Sequence, residues 1–179
     1  MAVFGQLPAD PATIANEIIR KVRRLAKDGR PDWSREIKKV LTNLGNAKGY
    51  YVYPDPKKRN REWLLDLIWL DKKTGSIRLA VESELGNENE ALDDFQKLLC
   101  VKAPLKVMIF YVYDKPFLKK FVKYMTDFDQ HVEGEHYLLI EFAPGRKGPA
   151  DHAYAYPVPS HLGPAKVKFT LLPGSLKAA

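Results

Sequence analysis

Two apolar segments of strand period, residues 63–70 and 77–85, are separated only by Asp71-Lys72-Lys73-Thr74-Gly75-Ser76. A loop that short returns the chain alongside itself, so the two segments pair as an antiparallel hairpin. The hairpin limits the choice of folds, because everything around it must cover its apolar faces. The chain before it has helical period. Asp10-Pro11 reads as an N-cap and first helical residue, and Ile14, Ile18, Val22 and Leu25 then recur at helical spacing up to about residue 28. Gly29-Arg30-Pro31 ends that helix. A second spans residues 33–44, with Ile37, Val40, Leu41 and Leu44 on one face and Gly45 as its stop.

Tyr50-Tyr51-Val52-Tyr53 reads as a strand, and residues 54–61 as a polar turn leading into the hairpin. Past Gly86, Asn87 or Asn89 caps a helix reaching about Val101, and Ala103-Pro104 breaks it. Residues 106–113 are β-branched and aromatic, the pattern of a central strand. Asp114-Lys115-Pro116 opens a helix to about Asp129, and residues 137–142 form a further strand. Residues 143–179 hold six prolines and four glycines, which predicts an irregular arm with one or two edge strands. The order α-α-β-β-β-α-β-α-β predicts an α/β fold: one domain of 179 residues, with a mixed sheet flanked by helices and a right-handed crossover over residues 77–113.

Chemistry concentrates in Ala80-Val81-Glu82-Ser83-Glu84-Leu85-Gly86. Strand alternation puts Glu82 and Glu84 on one face, with Leu79, Val81 and Ser83 on the other. Two like charges at that spacing are either solvated on an edge strand or hold a cation between them. Asp66 interrupts Leu64-Leu65-Asp66-Leu67-Ile68-Trp69, where an acid is out of place unless it is satisfied or used. If the loop is centred near Thr74, Asp66 lies opposite Glu82, and three carboxylates converge. Oxygen donors of that kind suit Mg2+ or Mn2+. No HExxH or CxxC supports zinc, and no GxxxxGK[ST], GxGxxG or GxSxG supports nucleotide binding or an α/β-hydrolase.

At these residues the chain resembles the PD-(D/E)XK, or restriction-endonuclease-like, nuclease superfamily. The superfamily's αβββαβ core matches residues 33–113. Asp66 matches its acid on the second strand and Glu82 its acid on the third, while Glu84 stands where the lysine of (D/E)-x-K usually stands. Some restriction enzymes of the superfamily carry E-x-E, and in some branches a lysine from the next helix substitutes. That makes Lys97 the implied replacement. On a helical wheel, however, Lys97 lies nearly opposite the face of Leu92, Phe95, Leu98 and Leu99, and Gln96 borders that face. The resemblance adds Glu36, on the helix before the first core strand, as a further metal-binding acid beside Asp66, Glu82 and Glu84. It implies a Mg2+-dependent nuclease acting on DNA, or on RNA, or else a catalytically inactive binding module of the same fold for nucleic acid or a protein partner.

The remaining features fit around that expectation. The net charge of +7 attracts polyanions. Lys57, Lys58, Arg59 and Arg61 sit in the loop before the Asp66 strand, where they either track a phosphate backbone or are ordinary solvated loop residues. Tyr50, Tyr51, Tyr53, Trp63 and Trp69 read as core rather than as base-stacking platforms. His131, His136, His152 and His161 have no ligand spacing. A single cysteine, Cys100, fits a reducing, cytoplasmic setting. The N-terminus does not read as a signal peptide, and no run reaches the roughly 18 apolar residues of a membrane span. A homodimer would present two such sites to the two strands of a duplex.

Overall fold

The hairpin forms as the loop chemistry requires. In a computed structural model that describes residues 11–27, 32–55, 64–111, 117–142, 153–158 and 170–171, strand β2 (Leu67–Leu70) pairs antiparallel with β3 (Ile77–Glu84). The Asp71 carboxylate accepts the N–H groups of Lys73 and Thr74, Gly75 N–H returns to Asp71 C=O, and Gly75 takes the left-handed φ of 69°. Those donors, with Arg78, hold the Asp71 carboxyl down at about 2. Around the hairpin lie α1 (Pro11–Lys27), α2 (Trp33–Ala47), β1 (Tyr51–Tyr53), α3 (Glu88–Cys100), β4 (Leu105–Tyr111), α4 (Phe117–Asp127), β5 (His136–Phe142), β6 (Ala153–Pro157) and β7 (Thr170–Leu171).

The strands form one seven-stranded sheet in chain order. β3, β4 and β5 run parallel, and the pairings on either side of them are antiparallel. The protein is therefore α/β with a mixed sheet. The C-terminal arm adds two strands as expected, but only β7 lies at the sheet edge, since β6 pairs with both β5 and β7. Strand alternation splits the core in two. Leu67, Trp69, Leu79, Val81, Val107, Ile109 and Ile140 face α1 and α2. Ile68, Ala80, Met108, Phe110 and Leu139 face α3 and α4. β4 is buried on both faces, and each large apolar side chain so removed from water contributes roughly 1.5–3 kcal/mol. No helix among the described residues is long and apolar enough to cross a membrane.

Two boundaries differ from expectation, and both bear on the site. Helix α2 does not stop at Gly45. It runs to Ala47 and ends at Gly49, φ 83°, where Tyr50 N–H bonds Gly45 C=O and Gly49 N–H bonds Asn46 C=O. Gly45 serves packing instead: a Cβ there would lie 2.6 Å from both Trp69 Nε1 and Val52 Cγ2. The missing side chain lets α2 lie close against β1 and β2. Strand β2, for its part, begins at Leu67. Residues 64–66 bend, so Asp66 stands at the strand's entrance and not in its middle.

Candidate functional site

The bend is explained by what replaces the ladder there. Extending the β2–β3 register by one step places Asp66 opposite Glu82, since Leu67 pairs with Val81. Instead of backbone pairing, Asp66 N–H donates to Glu82 Oε2 at 3.0 Å, and Ser83 N–H donates to Asp66 Oδ2 at 3.0 Å. Each carboxylate is thus fixed by the other strand's backbone. Two acids are brought together at the end of the hairpin by a reciprocal brace, which positions them as firmly as strand pairing would.

Glu82 is the unusual member. It is only 2% exposed, lies on the α3 face, and among the described residues its Oε1 has no hydrogen-bond partner. Among the described residues the cation paired with it is Lys97 Nζ at 3.8 Å, too long for a hydrogen bond. Burial first, then the negative charges of Asp66 and Asp94, push the Glu82 carboxyl up to about 8. A buried carboxylate oxygen without a donor is costly, and either a bound proton or a cation relieves it.

Lys97 reaches this point despite the wheel. Its side chain is 39% exposed, its Nζ bonds Asp94 Oδ1 at 2.6 Å, and the Asp94 bond holds its ammonium above the ordinary lysine range. The wheel measures angular distance from the apolar face, but not which flank of α3 borders the hairpin end. Asp94 and Lys97 occupy that flank, and the long lysine stem covers the remaining distance. Gln96, the residue the wheel favours, is exposed.

The expected convergence of three carboxylates is reduced to two. Glu84 Oε1 accepts the N–H groups of Gly86 and Asn87, so its carboxylate shapes the turn into α3. Among the described residues no three Asp, Glu, His or Cys side chains gather as a metal cage. Glu36 lies 3.8 Å from Lys39 on its own helix, and the α2 side chain that meets Asp66 is Lys38. Lys38 Nζ stands 2.6 Å from Asp66 Oδ1. From there a cleft of about 640 Å3 opens along α2, lined by Ser34, Arg35, Lys38, Lys39, Asn43 and Asp66 among others. Lys57, Lys58, Arg59 and Arg61 lie outside the described residues.

Sequence reasoning did not find Lys38 or Asp94. Asp94 stood three residues before Lys97, at ion-pair spacing, which was a usable signal. Lys38 carried none, because its partner is far away in the chain. Comparison with protein-family models, with curated proteins and with solved structures returns no match.

Proposed function

We propose that the protein is a divalent-metal-dependent nuclease, hydrolysing phosphodiester bonds in DNA, or in RNA, on a restriction-endonuclease-like αβββαβ core. The observation that carries this reading is Glu82: buried, braced against Asp66, and left among the described residues with one oxygen unpartnered, while Asp66 itself lines a cleft with Arg35, Lys38 and Lys39. That donor set fits Mg2+ or Mn2+, which commonly take only one or two protein carboxylates and complete their shell with water and substrate phosphate. Asp66 and Glu82 would hold the ion. When bound, it would polarise the scissile phosphate and lower the pKa of a coordinated water.

The chain's own residues divide the remaining work. Lys97, kept protonated by Asp94, is a donor and a positive charge, not a proton acceptor. It orients the attacking water and neutralises charge developing on the phosphoryl oxygens, taking the part of the lysine that Glu84 displaces. Arg35, Lys38 and Lys39 hold neighbouring phosphates along α2 and set the register of the strand without reading its sequence. Asp94 acts through Lys97 and is a positioning residue.

The test is cleavage of supercoiled plasmid and of labelled single strands with Mg2+ and with Mn2+. Wild type cleaves only with metal. Asp66→Asn loses cleavage, and Lys97→Met loses at least about 100-fold, the scale of one transition-state donor. The engagement of Glu84 in the turn into α3 favours a second reading, a binding module without cleavage. Metal-independent binding of nucleic acid with no cleavage under either ion would decide for that reading.

A further inference from the structure

The phosphate-holding role proposed for Lys38 does not explain why its ammonium lies on Asp66. Of the two Asp66 oxygens, Oδ2 is committed to Ser83 N–H in the strand brace, and Oδ1 is held by the Lys38 ammonium at 2.6 Å. The Asp66 oxygen outside the brace is Oδ1, and a divalent ion that ligates it there meets a like charge. Lys38 has somewhere to go. Its side chain is 43% exposed and lines the cleft together with Arg35 and Lys39.

We propose that Lys38 is an internal counter-ion, holding Asp66 until a divalent cation takes its place, and that the displaced ammonium then contacts a substrate phosphate in the α2 cleft. The inference rests on the metal-dependent reading above. It makes ion and polyanion bind cooperatively, since each removes an obstacle to the other, and the coupling must be reciprocal. It also suppresses metal loading in the absence of substrate.

The experiment titrates Mn2+ calorimetrically, at low salt and without nucleic acid, into the full-length wild type, Lys38→Met and Lys38→Arg. Lys38→Met tightens Mn2+ binding by about three- to tenfold, from loss of a partly exposed ion pair and of a like charge beside the ion. Lys38→Arg stays near wild type, separating charge from side-chain identity. In a second arm, anisotropy of a labelled duplex with Ca2+ as the ion shows Lys38→Met binding more weakly, with the salt slope reduced by about one. Equal or weaker Mn2+ affinity in Lys38→Met overturns the counter-ion role while leaving the metal site standing. Unchanged duplex binding overturns the phosphate contact. Absence of Mn2+ binding in all three proteins overturns the metal-dependent reading itself, and this inference with it.

Discussion

Glu82 is held in a state that water would not favour, and its titration should be visible. Its carboxyl is pushed up to about 8, chiefly by burial, so the folded state binds a proton that the unfolded chain releases near the ordinary glutamate value of 4.5. The stabilising contribution is complete below that unfolded value and is lost as pH rises through 8. Metal-free wild type is therefore expected to lose thermal stability between about pH 4.5 and 8 relative to Glu82→Gln, measured by melting temperature across that range. Parallel profiles for the two proteins would show that Glu82 is not desolvated in solution. At this scale the sequence was informative where the signal was local. Strand alternation placed Glu82, and an acid among apolar residues marked Asp66. The direction taken by Glu84 was not legible, because Glu82 and Glu84 share alternation and differ only in which backbone N–H groups lie within reach.

Among elements, α2 and α3 carry the site, and each departed from its sequence expectation in an instructive way. Gly45 reads as a stop because glycine ends helices, yet the left-handed residue is Gly49, and Gly45 is where α2 meets Trp69 and Val52. Gly45→Ala should destabilise the fold by about 1–3 kcal/mol, the usual cost of overpacking a tight contact, even though alanine is the better helix former. Chemical denaturation measures this directly, and a variant as stable as wild type would show that the helix can move outward. Because α2 also presents Lys38 and Arg35, the same variant reports on how rigidly the cleft is set. For α3, periodicity identified the buried face (Phe95, Leu98, Leu99) but could not say which flank borders the hairpin end. That depends on the crossover packing, and it decides between Lys97 and Gln96.

At the scale of the whole molecule, the acidic pair sits at the end of the hairpin, between the helix layers on the two faces of the sheet. Asp66 is met by Lys38 from the α1–α2 side and Glu82 by Lys97 from the α3–α4 side. The element order and mixed sheet were legible because periodicity, loop lengths and turn residues all agree. A second polar cluster was not. Lys106, 1% exposed at its side chain, bonds Glu135 at 2.8 Å, Tyr137 Oη at 3.0 Å and Leu99 C=O at 3.3 Å, tying the end of α3 to β4 and β5. Its sequence shows only a lysine at the start of an apolar strand, with partners distant along the chain. His131, which has no ligand spacing in the sequence, joins that cluster through Tyr137 Oη and Met125 C=O. The cluster is internally satisfied, whereas among the described residues Glu82 Oε1 of the acidic pair has no partner, which is why the proposed ligand is placed there. The most direct test is the anomalous diffraction of Lys38→Met crystals soaked in Mn2+, in which the counter-ion no longer opposes loading. The expected result is a strong peak bonded to one oxygen of Asp66 and one of Glu82 at roughly 2 Å. A map with no peak there, at a concentration that saturates a known Mn2+ protein, would contradict a metal-binding role for the pair.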